Sequence, residues 1–559
     1  MIYAAGAGLD TRKQCLPGTR MEILSQITEW INSIGDDVPR VMWLSGPAGK
    51  GKSAIAHTIA RWFKDMGGLG SCYCFDRHRE ADHREDKIFS TIARDLADSD
   101  PEVKRALADA VKNDSSLKNT ADIVQQWQKL LMGPVGKLSG STVGPVLIVI
   151  EALDESGGIE TRRHLLRILA GKLEDQGVSK ITELPSNFRI LVTSRPLHDI
   201  DDEFGGVQHI RRLSMDDISP VVAERDIRTF VSKKLEGLSD IGDREVAALA
   251  AKADGLFEWA RLACSYIKET PAGARRIPRF DAVVDQDPGK RKNLLYTLYR
   301  LILTEIMPKD KYEDVEYTYA LAKFRSVMGQ ILGTAEPLSS DSLNAMRSCF
   351  PDQGLEHYKV EDMVGHMGSL LSGTTNSHTP IRPLHASFHD FLTDESCSQE
   401  FFVEVSKVQR DIAIASLRVM EDGLRFNICD LKSSYLPNSE VPGLRERVQE
   451  CIPSHLSYSC RFWAAHVRAA DFDMELAKEI RLFFDHERVL FWLEVLGLLN
   501  ALSGGATALL LITKWLKVST GYHVVSDEVL TRTHRTILDT KMSCPLRWTC
   551  RNSFTSSAT

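Results

Sequence analysis

The chain has 559 residues, of which 43% are hydrophobic and 26% charged. That is ordinary for folded globular protein and long enough for three or four domains of about 150 residues. A net charge of −7 gives no global positive field for nucleic acid or an anionic membrane, and short basic clusters such as Arg275-Arg276 and Lys290-Arg291-Lys292 read as solvated surface. The 11 cysteines include no C-x-x-C pair and the N-terminus has no basic-then-apolar leader, so reduced thiols and a cytoplasmic location are expected.

In chain order, residues 1–37 read as a lead-in helix. Five short apolar strands follow, at Arg40–Ser45, Ser71–Phe75, Val146–Ile150, Phe188–Thr193 and Val207–Leu213, separated by helical stretches. This alternation predicts a parallel sheet with helices on both faces over 38–215, with ligands at the carboxyl ends of the strands. Cys72 and Cys74 alternate along the second strand, so both thiols face the same side.

Beyond residue 214 helical periodicity dominates, at Asp226–Lys234, Arg244–Ala253, Phe257–Ile267, Leu294–Ile306 and Ala320–Ile331. These define a helical domain over 216–310. Residues 311–395 suit a winged-helix-like domain, with two helices, a polar loop Gly373–Thr379 and a strand-like Ile381–Leu384. A C-terminal helical domain covers 396–520. Val495–Thr513 is uncharged and of near-membrane-spanning length, but its Ser-Gly-Gly centre predicts two short buried helices joined by a turn, and no membrane is expected as a partner. Residues 521–559 are irregular and fit a truncated end. No repeat of 30–45 residues is present in the sequence.

Chemistry concentrates at three strand ends. Gly46-Pro47-Ala48-Gly49-Lys50-Gly51-Lys52-Ser53, with Ala54 in the helix behind it, fits G-x-x-x-x-G-K-[ST]. Glycines let the backbone curl its N–H groups towards a phosphate. Lys52 reaches the β- and γ-phosphates, and the Ser53 hydroxyl holds Mg²⁺. The strand Val146–Ile150 delivers Glu151, Asp154 and Glu155, one carboxylate to orient Mg²⁺ and a later one to activate water. The fourth strand ends in Thr193-Ser194-Arg195, a hydroxyl and a guanidinium suited to a γ-phosphate. Glu151, Asp154, Glu155 and Arg195 are thus the candidate catalytic residues, and Ser53 and Glu151 the candidate metal ligands.

The order Gly46–Ser53, Ile150–Glu155 and Leu191–Pro196 resembles the NACHT class of STAND signalling NTPases, and more narrowly the fungal, basidiomycete-type group related to intracellular immune receptors. Other matching pieces are Cys15–Arg20, Phe89–Leu96, Gly255–Ala260, Pro383–Leu392 and Ser459–His466. The resemblance implies an α/β P-loop NTPase domain followed by mostly α-helical domains including a winged-helix unit. It implies a switch in which an ADP-bound closed form becomes an ATP-bound, homo-oligomeric open form with slow hydrolysis. It also implies that His385 touches the β-phosphate of ADP; from the residues alone His385 reads as a core histidine at a strand end. Gly255-Leu256-Phe257 matches a turn that packs on adenine, with Phe257 where proline is usual, and Glu151 stands where relatives have Asp. The alternatives are a nucleotide-binding scaffold with degenerate hydrolysis and a dedicated ATPase motor. Leu502-Ser-Gly-Gly505 does not supply a transporter signature, because it lies far beyond the acidic strand, and the acidic balance disfavours a helicase.

Overall fold

The computed structural model describes residues 1–519 apart from 2, 5, 34, 36, 78–84, 138–143, 174–178, 271–274, 286–292, 352–357, 434–435 and 486. The irregular segment 521–559 lies outside the described residues. Two compact units make up the chain: residues 1–302 together with His385–Ser387, and residues 303–384 with 388 onward.

The first unit is built on five parallel strands, β1 (Val41–Ser45), β2 (Leu69–Cys74), β3 (Val146–Glu151), β4 (Phe188–Ser194) and β5 (Ile210–Ser214), in the order β2-β3-β4-β1-β5. The predicted strands are all present, with ends shifted by at most three residues. β1 is hydrogen-bonded to both β4 and β5, so the chain leaves β1 towards one edge of the sheet and leaves β4 towards the other. That reversal opens a crevice at the carboxyl ends of β1 and β4, where a doubly wound sheet binds its ligand.

Strand residues divide alternately between two cores, as a period of two requires. Met42, Leu44, Leu147, Val149 and Leu191 pack with α1 (Met21–Asn32) and α2 (Lys52–Asp65) on one face. Val41, Trp43, Ile148, Ile150, Ile190 and Val192 pack on the other, against α3 (Ile88–Ser99), the helix Ile159–Ala170 and the helix His198–Phe204. Central strands buried on both sides explain why the sequence reads as continuous apolar runs. Trp43 fixes the register of the chemistry-bearing ends: its indole N–H donates to Ser194 Oγ at 2.8 Å and its ring meets Phe204 edge-on. Helices Pro220–Leu235, Asp243–Lys252, Phe257–Lys268 and Ile277–Val284 also belong to this unit, and helix Leu294–Ile306 begins in it and ends in the second.

The second unit is mostly helical. Helix Asp314–Gly333 leads into shorter helices at Ser340–Arg347 and Val360–Val364, then a two-stranded antiparallel pair, β6 (Leu371–Ser372) and β7 (Arg382–Pro383). Helices Val405–Gly423 and Ser454–Ala469 follow, and Trp463, Phe483 and Trp492 form an aromatic core. The 495–513 region is two helices, Arg488–Leu498 and Leu502–Ser519, as expected. Their turn, however, is made by Asn500 in the left-handed region (φ 55°), and Gly504 and Gly505 lie inside the second helix. Asn tolerates that conformation nearly as well as glycine does, so the turn falls there. Among the described residues no helix is long and apolar enough to cross a membrane.

Candidate functional site

The loop 46–51 begins where three strands end. Met215 N–H donates to Ser45 O at 2.8 Å and Gly46 N–H to Ser194 O at 3.3 Å. The approach is close: a Cβ on Gly46 would sit 2.6 Å from Met215 Cβ, so only glycine fits. Gly49 needs a positive φ of 83° and packs against Glu258, whose amide donates to Gly49 O at 3.0 Å. Gly51 precedes α2, whose first-turn N–H groups have no intrahelical partners and favour an anion. Within the loop Pro47 is exposed, while Ala48 and, behind it, Ala54 are half-buried.

The Lys52 ammonium donates to Gly46 O at 2.6 Å and Pro47 O at 2.9 Å. Burial pushes it down to about 8; Asp154 opposes the shift, Arg195 adds to it, and Glu151 and Glu155 oppose it. Those causes show that Lys52 lies in the field of every candidate catalytic group. The Ser53 hydroxyl donates directly to Glu151 Oε1, while Glu151 Oε2 lies 4.0 Å from His57 Nε2. Glu151 is only 4% exposed, so this pair of hard oxygens sits in a low-dielectric pocket between α2 and β3.

The other two carboxylates have different surroundings. β3 ends at a turn in which Ala152 adopts φ 56°, held by its N–H donating to Thr193 Oγ1 at 3.0 Å. Asp154 then accepts from Arg195 twice, from the backbone N–H and from Nε, each at 3.1 Å. Arg162, itself buried, braces the turn by donating to the carbonyls of Asp154 (3.1 Å) and Gly157 (2.9 Å) and pairing with Asp199 at 2.8 Å. Glu155 accepts a 3.3 Å bond from the Arg77 amide, with the Arg77 guanidinium 3.9 Å away. Burial pushes the Glu155 carboxyl up to about 7; Arg77 opposes this, while Asp154, Glu151 and Asp76 add to it.

On the far side of the loop, Lys50 pairs with Asp216 at 3.1 Å, and Arg20 donates to Lys50 O at 2.8 Å with its guanidinium 4.6 Å from the Phe257 ring centre. Phe257 therefore packs under an arginine and, edge-on, against Phe230. Arg20 Nε and Nη1 are buried with no hydrogen-bond partner. His385 completes the group. Its Nδ1 accepts from the Ser387 amide at 3.2 Å and bonds Ser387 Oγ at 2.6 Å, and Tyr299 bonds the same hydroxyl at 2.9 Å. The Nδ1 contact leaves the ring proton on Nε2. Burial lowers the His385 pKa; Glu258 opposes this, and Arg261, Arg195 and Lys52 add to it, so the ring is neutral at physiological pH.

All the residues selected from sequence therefore lie in one unit, the strand-borne ones at the carboxyl end of one sheet. Arg20, Glu258, Arg261, Arg162 and His57 were not selected. Arg20 and Glu258 lie inside the matching pieces Cys15–Arg20 and Gly255–Ala260, but no spacing pairs Arg20 with Asp226, whose carboxylate accepts the Arg20 amide at 2.9 Å. The donor set fits a magnesium nucleotide: a cation aimed by loop carbonyls, paired hard oxygens at Ser53 and Glu151, and two unpaired guanidinium donors beside the loop.

A family model described as Nephrocystin 3, N-terminal, matches residues 18–195, which runs from just before α1 through the phosphate loop and acidic strand to Arg195. No curated protein matches the chain. The match and the strand order together give a P-loop NTPase-like domain.

Glu155 gives a pH signature. Its folded-state pKa near 7 exceeds the ordinary 4.5, so the native state holds a proton that the unfolded chain releases. Its contribution is fully present below about pH 4.5 and is lost as pH rises through 7. Between pH 5 and 7.5 the wild type should lose about 2 kcal/mol of unfolding free energy that Glu155→Gln retains, read by denaturant titration. Parallel profiles for the two proteins would refute the assignment.

Proposed function

We propose that the protein is an ATP/ADP-binding signal-transduction switch of the NLR-like NACHT kind, with slow ATP hydrolysis and a homo-oligomeric active state. The observation that carries this reading is the Ser53–Glu151 contact beside Lys52, which brings a phosphate loop and an acidic strand into a single site. Ser53 and Glu151 are the ligands for Mg²⁺, which when bound neutralises phosphate charge and polarises the phosphoryl group. Lys52 binds the β- and γ-phosphates.

The remaining groups divide the chemistry. Glu155, with a pKa near 7, is poised as the base that takes a proton from water. Asp154 holds Arg195 at the end of β4, orienting its fork towards a γ-phosphate. Neutral His385, with its proton on Nε2, serves as a donor to the β-phosphate of ADP. His385–Ser387 belong to the same unit as the phosphate loop.

Lys52→Ala should weaken ADP and ATP binding by about 100-fold, the value of a charge-assisted contact, without unfolding the chain. Calorimetry showing unchanged affinity would rule out the phosphate loop. His385→Ala should weaken ADP binding and shift the protein to larger species in size-exclusion chromatography; identical ADP affinity and elution for mutant and wild type would count against the closed-state role.

A further inference from the structure

His57, Cys72 and Cys74 form a buried cluster that nucleotide chemistry does not use. β2 points both cysteines to one face, and α2 lays His57 against that face. Their exposures are 1%, 5% and 9%, and both thiols are free. Cys72 Sγ lies 3.9 Å from Cys74 Sγ, which lies 3.9 Å from His57 Nε2. All three ligand atoms fall within 4.8 Å of one another, and among the described residues no other three such groups converge in this way.

Those separations are what a metal requires. Zinc bonds of about 2.3 Å to sulfur and about 2.0 Å to nitrogen, at tetrahedral angles, place neighbouring ligand atoms about 3.4–3.8 Å apart. Two of the three separations, at 3.9 Å each, match that spacing to within a few tenths of an ångström, and the third falls within 4.8 Å. Glu151 is the nearest further carboxylate: its Oε2 lies 4.0 Å from His57 Nε2, outside the converging set, while its other oxygen faces Ser53, so it could join the three only by turning away from that hydroxyl. Two thiolates and an imidazole select zinc over magnesium by softness.

We propose that His57, Cys72 and Cys74 form a zinc site, that bound zinc draws Glu151 off Ser53 as its fourth ligand, and that zinc there thereby competes with magnesium nucleotide at Ser53 for the same carboxylate. The second half rests on the function proposed above; the first does not. Zinc binding releases one proton from each thiol to solvent. It also moves the His57 ring proton from Nε2 to Nδ1, giving up the 3.3 Å bond now accepted from the Asp10 amide. The consequence is a nucleotide switch that loses its metal-orienting carboxylate when zinc rises.

The test uses the full-length chain, chelator-stripped and reduced under argon. Added Co²⁺ should give the visible absorption of tetrahedral cobalt–thiolate, abolished by one equivalent of Zn²⁺, lost in Cys74→Ser and in Cys72→Ser, and retained in the distant Cys264→Ser. Absence of that absorption in the wild type, or its persistence in both serine variants, overturns the site. One equivalent of Zn²⁺ should weaken Mg²⁺-dependent ADP binding by about tenfold or more, reversibly with chelator and not in Cys74→Ser. A cobalt signal with ADP affinity unaffected by zinc overturns the competition. A cobalt signal in a chain that binds no nucleotide overturns the phosphate-loop reading and the competition with it, while the metal site stands.

Discussion

The hydrogen bond from Ser53 to Glu151 joins the first turn of α2 to the last residue of β3, and the carboxyl end of the sheet is organised around it. On one side it fixes where the helix begins and so where the loop's N–H groups gather. On the other it holds a carboxylate that would be costly to bury unpaired. Glutamate suits this position because its longer arm reaches the hydroxyl directly. The same arm leaves Oε2 facing His57, so one side chain serves two pockets.

Around that contact, three carboxylates within five residues are given three environments. Glu151 is hydrogen-bonded to Ser53, Asp154 is committed to Arg195, and half-buried Glu155 has one bond from the Arg77 amide and a long contact to the Arg77 guanidinium. Burial, with the neighbouring acids adding to it, pushes the least compensated of them, Glu155, towards the proton-bound form. Lys52 is the cation common to all three, and its own lowered pKa reflects the burial of the group as a whole. Environments that set neighbouring acids apart are how one site separates metal binding, orientation and proton transfer.

Much of this was legible in the sequence because it is local. The loop octet, the acids at the end of an apolar run and the Thr-Ser-Arg tripeptide each sit within a few residues, and strands buried on both faces announce themselves as apolar runs. The parallel sheet and the helical region beyond it follow from the same patterns. The far wall of the site was not legible, because Arg20, Asp226, Glu258 and Phe257 meet only through folding: the Arg20–Asp226 contact spans 206 residues. His57 was hidden by its place in an amphipathic helix, where a lone histidine looks like packing. The turn near Asn500 was misplaced because glycine was preferred where asparagine serves.

The most direct measurement is calorimetric titration of ADP, with and without Mg²⁺, into the wild type and Glu151→Gln. If Ser53 and Glu151 hold the metal of a nucleotide site, Mg²⁺ should tighten ADP binding in the wild type and have little effect in the variant, whose metal-free affinity stays the same. An equal magnesium effect in both proteins, or no ADP binding in either, would contradict it.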